Sequence, residues 1–342
     1  MADVWAKFFD EGVPGTVTDL RLQSVLTMAA MPERATAALA RLVARLPDLT
    51  SFELSKTTIH GLDAVVHALP RKGLRYLHLG IGMREADTVD DIVRLAAAMP
   101  KLVESLEFDI SCWIDRDHPE VMYGLIDKLP LATRKLPMRA ESPWHGAHYP
   151  CIPLSSTLET LTVSGMYGWL NEPHLTDVLA RLPPSLTILD LYYVALGGKS
   201  AALAMLARRM PPQLVTLRLA GCNLTRADLD VLAPQWPATL RELNLRFNVV
   251  LQPRNMGAAR PSNLNELVKD PVHVAWTMLL PPQLRMLDLF GVPISEGMAM
   301  GMIEKMPARA PMAQMVLHAQ RDWVSMKSIA LLKTKFVVHV FE

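Results

Sequence analysis

The chain has 342 residues, half of them hydrophobic, and a formal net charge of +1, which is enough apolar material for a long continuous core. The near-neutral charge argues against a dedicated binder of nucleic acid or of anionic membrane. No stretch approaches the roughly 18 apolar residues of a membrane span, the acidic N-terminus lacks the apolar run of a signal peptide, and three cysteines are too few for a disulfide framework. A cytoplasmic protein is expected, with the nucleus also open.

In chain order, Val4, Trp5, Phe8 and Phe9 fall at helical spacing, and residues 1–16 are expected to form a helical cap over the array that follows. A first strand is expected at Val17, Leu20 and Leu22. Pro32 then interrupts a long helical pattern that continues to Leu46, which predicts a broken or kinked segment. From there an apolar pattern at i, i+3, i+4 and i+7, closed by proline, recurs along the chain. It reads Leu39–Leu42–Val43–Leu46–Pro47 and Leu62–Val65–Val66–Leu69–Pro70, then returns ending at Pro100, Pro130, Pro183, Pro211, Pro237 and Pro307. Each is one helix face about two turns long. Proline cannot continue the helix and drives the preceding residue out of the helical region, so each helix stops in register and a strand follows. Thr225 and Asp228 have the spacing of a capping box.

The strands carry the stronger signal. Pro183–Asn248 holds three copies of the spacing L-x-x-L-x-L, at Leu186, Leu189, Leu191, at Leu214, Leu217, Leu219 and at Leu240, Leu243, Leu245, with registers 28 and 26 residues apart. In an extended strand alternate residues share a face, so the fourth and sixth positions point to the core and the third, fifth and seventh point out. One strand with its return segment cannot bury its own apolar face, whereas stacked copies can. Degenerate copies begin near Val17, Leu49, Leu74, Val103, Leu131, Leu158, Leu284 and Met312, which gives eleven repeats. The tail Lys335–Phe341 reads as a last strand with an apolar edge.

This pattern is that of a leucine-rich repeat. A period near 28 with a full helix in each repeat resembles the ribonuclease-inhibitor-like class of that family. The resemblance implies an α/β fold: a leucine-rich-repeat solenoid, a horseshoe with a parallel sheet on the concave face and helices on the convex face, over residues 17–342. The family's ninth-position Asn or Cys stands at Asn248 and Cys222, which should hydrogen-bond the turn backbone. Two segments break the period: 137–157, Pro-rich with Trp144 and Tyr149, and 249–271, inside a 44-residue spacing between Leu240 and Leu284.

Other constellations have plainer readings. His145, His148 and Cys151 lack the fourth ligand of a structural zinc site, so no metal is expected. Gly197-Gly198-Lys199-Ser200 resembles the end of a phosphate-binding loop, but Tyr193 stands where that motif needs glycine; the two glycines are expected to be turn residues and no cofactor is expected. The twenty methionines fall largely at leucine positions, as core filling. No catalytic constellation stands out, so the protein is not expected to be an enzyme.

The outward columns of the sheet carry the functional expectation. Fifth positions read Arg21, Glu53, His78, Glu107, Lys135, Thr162, Asp190, Arg218, Asn244, Asp288 and Val316, and seventh positions add Asp109, Tyr192, Arg246 and Phe290. Asp190, Tyr192, Arg218, Asn244, Arg246, Asp288 and Phe290 bring aromatic and arginine side chains together, the composition of an interface hot spot. The expected function is a non-catalytic scaffold that binds a protein through this face, as a monomer or as a weak dimer through the C-terminal edge strand. Two alternatives come from resemblance: a substrate-recognition subunit for ubiquitin transfer, though no F-box is visible, and an activator of the Ran GTPase, though the acidic tail of those activators is missing.

Overall fold

The computed structural model describes residues 2–22, 33–58, 62–83, 94–95, 98–100, 103–112, 135–140, 154, 156–165, 172–248, 275–292, 294–305, 315–320, 324–334 and 336–341. Expectations about Pro32, the helix before Pro130, the His145–Cys151 cluster and the 249–271 insertion lie outside these residues. The chain divides into two compact units, Met1–Trp169 and Leu170–Glu342.

Proline sets the local rhythm. Met210, before Pro211, and Trp236, before Pro237, both turn to extended ψ, 121° and 129°. The carbonyls of Pro183, Pro211, Pro237 and Pro281 each accept a hydrogen bond from the amide three residues on, at Leu186, Leu214, Leu240 and Leu284. The turn that ends one helix therefore launches the next strand with its first leucine already placed.

In the first unit, helix α1 (Ala2–Glu11) packs on α2 (Glu33–Ala44), and its Phe9 is buried. The Arg45 guanidinium donates to the carbonyls of Phe9 and Asp10, at 2.8 and 2.9 Å, and so closes the C-terminal end of α1. Strands β1 (Asp19–Leu22), β2 (Ser51–Thr58), β3 (Tyr76–Met83) and β4 (Ser105–Cys112) form a parallel sheet in sequence order, with α3 (Leu62–Ala68) between β2 and β3. Strands β5 (Lys135–Ala140) and β6 (Thr160–Gly165) pair in parallel. Residues 137–140 therefore belong to a strand and not to the irregular segment expected over 137–157. Lys135 pairs with Thr160, a third-position residue, so the expected register of β5 was two residues early.

The second unit repeats strand and helix in order: α4 (Glu172–Ala180), β7 (Ile188–Tyr192), α5 (Ser200–Arg209), β8 (Thr216–Arg218), α6 (Arg226–Leu232) and β9 (Glu242–Asn244). After the long insertion come a 3-10 helix (Ala275–Leu279), β10 (Met286–Asp288), α7 (Glu296–Lys305), β11 (Met315–Gln320), α8 (Met326–Leu332) and β12 (Phe336–Phe341). Strands β7 to β12 lie side by side in sequence order, all parallel. Leu189, Leu191, Leu217, Leu219, Leu243, Leu287, Leu289 and Leu317 are all fully buried, as the strand parity requires. Thr225 and Asp228 form the reciprocal capping box at the start of α6. Helix α8 was missed from sequence because no proline closes it; Ser325 caps it by accepting from the Ser328 amide at 2.9 Å.

The two ninth-position side chains expected to bond the turns, Asn248 and Cys222, both do so. The Asn248 side chain is fully buried. Its Nδ2 donates to the carbonyls of Leu219 (2.7 Å) and Leu245 (2.9 Å), and its Oδ1 accepts from the Leu224 amide at 3.0 Å. The Cys222 thiol donates to the Leu191 carbonyl at 2.7 Å. Each side chain thus fastens its own turn to a neighbouring repeat. Gly197 and Gly198 are turn residues: a Cβ on Gly197 would fall on the Asn223 carbonyl, and Gly198 has φ +75°.

Candidate protein-binding face

The register of β7–β12 places one residue from each strand in a single outward row: Asp190, Arg218, Asn244, Asp288, His318 and His339. Over β7–β10 the expected fifth-position column is therefore right, while it is off by two at Lys135, where Pro137 holds the place, and at its end, where His318 stands in place of Val316. Val316 lies in the third-position row, opposite Met286. The reason is local: Met312, Met315 and Leu317 imitate the leucine spacing, whereas the strand actually buries Leu317 and Ala319.

Charges in the row are paired. Arg218 lies 3.5 Å from Asp190 and 3.9 Å from Glu242, whose carboxylate also accepts from Thr216 Oγ1 at 3.3 Å. Arg246 Nε lies 3.6 Å from Asp288, and His318 Nδ1 lies 3.5 Å from the same carboxylate oxygen. The other oxygen of Asp288 accepts from the Phe290 amide at 3.1 Å, and Asn244 Oδ1 accepts from the Arg246 amide at 3.0 Å. Asp288 is only 5% exposed, so it positions Arg246 and Phe290 and offers little surface itself. Asp190 and Asn244 are half-buried and act in the same way. Tyr192 is exposed, the Arg218 and Arg246 side chains are 42% and 39% accessible, and Phe290 is half-buried beside them. In the first unit Arg21, Glu53 and His78 align in the corresponding row, with His78 3.3 Å from a buried Glu53.

An aromatic cluster adjoins the row. The Arg246 guanidinium lies 4.8 Å from the Phe290 ring centre and 5.2 Å from that of Phe247, within cation–π range of both. Phe247 meets Phe290 edge-on at 5.5 Å, Phe290 meets Phe341 at 5.9 Å, and Phe341 meets His318 at 5.4 Å. At the other end of the row, Tyr192 and Tyr193 make a T-shaped pair at 4.5 Å. Sequence reasoning passed over Tyr193, Phe247, His318, His339 and Phe341. The available signal was an aromatic at the eighth position of two repeats, at Tyr193 and Phe247, where the other two repeats of this stretch carry Gly221 and Gly291.

Those four positions share one backbone conformation, with φ of +55° at Tyr193, +66° at Gly221, +57° at Phe247 and +72° at Gly291. A bulky residue with positive φ is uncommon and strained, by about 1–3 kcal/mol, and it persists only where surroundings enforce it. Here the turn hydrogen bonds do so: the Tyr193 amide donates to Ala220 O at 2.8 Å and the Phe247 amide to Phe290 O at 2.9 Å.

Among the described residues, no group of three or more His, Cys, Asp or Glu side chains could hold a metal ion, and no helix is long and apolar enough to cross a membrane.

Parallel strands bearing L-x-x-L-x-L, separated by helices and pinned by ninth-position Asn and Cys, define a leucine-rich-repeat fold. No protein-family model matches the chain, and no curated protein matches its sequence. Among solved structures it is similar to the leucine-rich repeat-containing protein LegL7 from Legionella pneumophila, with 15% identity, 94% of this chain and 88% of that one covered, and a TM-score of 0.46. It is also similar to a chain of the yeast Rad7 and Elc1 complex, with 13% identity, 89% and 77% covered, and a TM-score of 0.47.

Proposed function

We propose that the protein is a non-catalytic interaction scaffold that binds another protein through the outward face of β7–β10. The observation that carries this reading is the grouping of Tyr192, Arg218, Arg246 and Phe290, at least partly accessible yet each held by a neighbour in the sheet or turn. Aromatic and arginine side chains held in place lose little entropy on binding, which is the property of interface hot spots. Both arginines are matched by carboxylates, so the face lacks the unpaired basic character that phosphate backbones select. The same pairing favours recognition over a catalytic arginine offered to a nucleotide. A cytoplasmic setting is part of the proposal, since Cys222 uses its reduced thiol to fasten a turn.

The test compares captured partners. Tyr192→Ala should lose the main protein recovered by the wild type while keeping its melting temperature, because the side chain is 43% exposed. A hot-spot truncation costs about 2 kcal/mol or more, roughly thirtyfold in affinity. The paired change Lys72→Ala with Arg208→Ala, at exposed positions away from the strands, should leave capture intact. If that pair abolished capture and Tyr192→Ala did not, the strand face would be the wrong surface.

A further inference from the structure

Strand β12 is the last strand of the described second sheet, and it lacks the devices that keep a sheet edge from pairing. Phe336–Phe341 reads FVVHVF, all β-branched or aromatic apart from one histidine, with no lysine, carboxylate, proline or glycine. One edge is fully in register with β11. Among the described residues no strand pairs with the other edge. Its side chains alternate: Phe336 is buried, while Val337, His339 and Phe341 are exposed on the outward face. The aromatic cluster Phe247–Phe290–Phe341 runs along that face to β12 and is open there.

We propose that β12 pairs antiparallel with β12 of a second copy of this chain, about a two-fold axis at His339, joining two sheets edge to edge. Symmetry limits the register. Directly opposed residues of an antiparallel pair share a face, and an axis normal to the sheet keeps each face on its own side. The axis must therefore pass through a residue and not between two. With His339 on the axis, Val337 of each copy opposes Phe341 of the other on the outward face, and Val338 opposes Val340 on the inner face. These are aromatic–β-branched and β-branched pairs, the favourable kind. Val337 of the second copy would then cap the open end of the Phe341 cluster. An axis at Val338 would instead set Val337 against His339 and Lys335 against Phe341, and one at Val340 would set Val338 against Glu342. The His339 axis sets Phe336 against Glu342, but it gives Val337, Val338, Val340 and Phe341 apolar partners, more than either alternative does. A single strand pairing falls below the roughly 1,200 Å² of standard interfaces, so the dimer is weak and concentration-dependent.

The experiment is sedimentation velocity on the full chain between about 5 and about 500 µM, with a thermal melt of every variant. The wild type should shift from monomer to dimer across that range. Val337→Lys and His339→Lys, both at exposed positions, should weaken association by at least about tenfold, the second by setting two like charges on the axis. Combining Val337→Lys with Phe341→Glu should restore it, because those positions face each other across the axis. Should Val337→Lys lower the melt, His339→Lys decides. A wild type still monomeric at the highest concentration overturns the proposal. So does association indifferent to His339→Lys, or a combined variant no stronger than Val337→Lys alone.

Discussion

The ring of Tyr193 lies where a side chain on Gly221 would have to be: a Cβ built there meets Tyr193 Cδ1 at 2.6 Å. The two residues hold the same position in successive repeats and the same left-handed backbone, so the array alternates an aromatic with the glycine that accommodates it. Phe247 and Gly291 repeat the arrangement, with a Cβ contact of 3.0 Å. Gly221→Ala should therefore combine a left-handed backbone penalty of about 1–2 kcal/mol with overpacking of about 1–3 kcal/mol. Urea denaturation would measure it. The cost should fall in a Tyr193→Ala background, which removes the clash and leaves the backbone term. Equal costs in both backgrounds would show that the ring is not what confines Gly221.

Leu217 is fully buried at the centre of the second sheet, between strands β7 and β9. Leu217→Ala should cost about 2–5 kcal/mol. A melt within a degree or two of wild type would contradict the strand register.

Such core positions were the legible part of the sequence, because parity in a strand survives degenerate spelling. Even where the registers of β5 and β11 slipped, they slipped by two, so the residues kept their faces and only the row assignment failed. What sequence hid was pairing across repeats. Asp288 sits at an outward position and reads as a surface carboxylate, yet Arg246, His318 and the Phe290 amide enclose it. The positive φ of Tyr193 and Phe247 was equally hidden, because composition favours glycine at such turns and gives no hint of an enforced aromatic. Helix α8 failed for a simpler reason: its end lacks the proline on which the pattern relied.

Asn248 tests the ladder chemically. Asn248→Asp is nearly isosteric, but a carboxylate cannot donate to the Leu219 and Leu245 carbonyls, and it would face both of them while buried. The loss should exceed the about 1–3 kcal/mol of leaving a neutral buried group unsatisfied. Asn248→Ala should cost less than Asn248→Asp in the same denaturation assay, and the reverse order would mean that the Oδ1 contact to Leu224 dominates.

Burial drives the Cys222 thiol far above the ordinary thiol pKa, so the reactive thiolate is essentially absent while the turn is closed. Residue-resolved mass spectrometry after treatment with a thiol reagent should find Cys222 unmodified in native buffer and modified in denaturant. Prompt labelling under native conditions would mean that the turn opens readily.

Arg246 and Asp288 decide whether the aromatic face is pre-set. Asp288 is nearly inaccessible and orients Arg246, which in turn lies against the Phe290 and Phe247 rings. Arg246→Ala leaves that carboxylate with His318 and the Phe290 amide, and should cost about 1–3 kcal/mol; the partial exposure of the arginine keeps it below the figure for a fully buried pair. Asp288→Asn keeps an acceptor for the Phe290 amide and removes the charge that draws Arg246. If the carboxylate is what holds the arginine, the two changes together should cost less than their sum, by about 0.5 kcal/mol or more in a double-mutant cycle. Arg246→Lys should not substitute, since a point charge on a flexible stem lacks the planar group that lies against both rings. Strict additivity, or a lysine variant as stable as wild type, would mean that Arg246 is placed by its backbone turn alone and that the face is not organised by this pair.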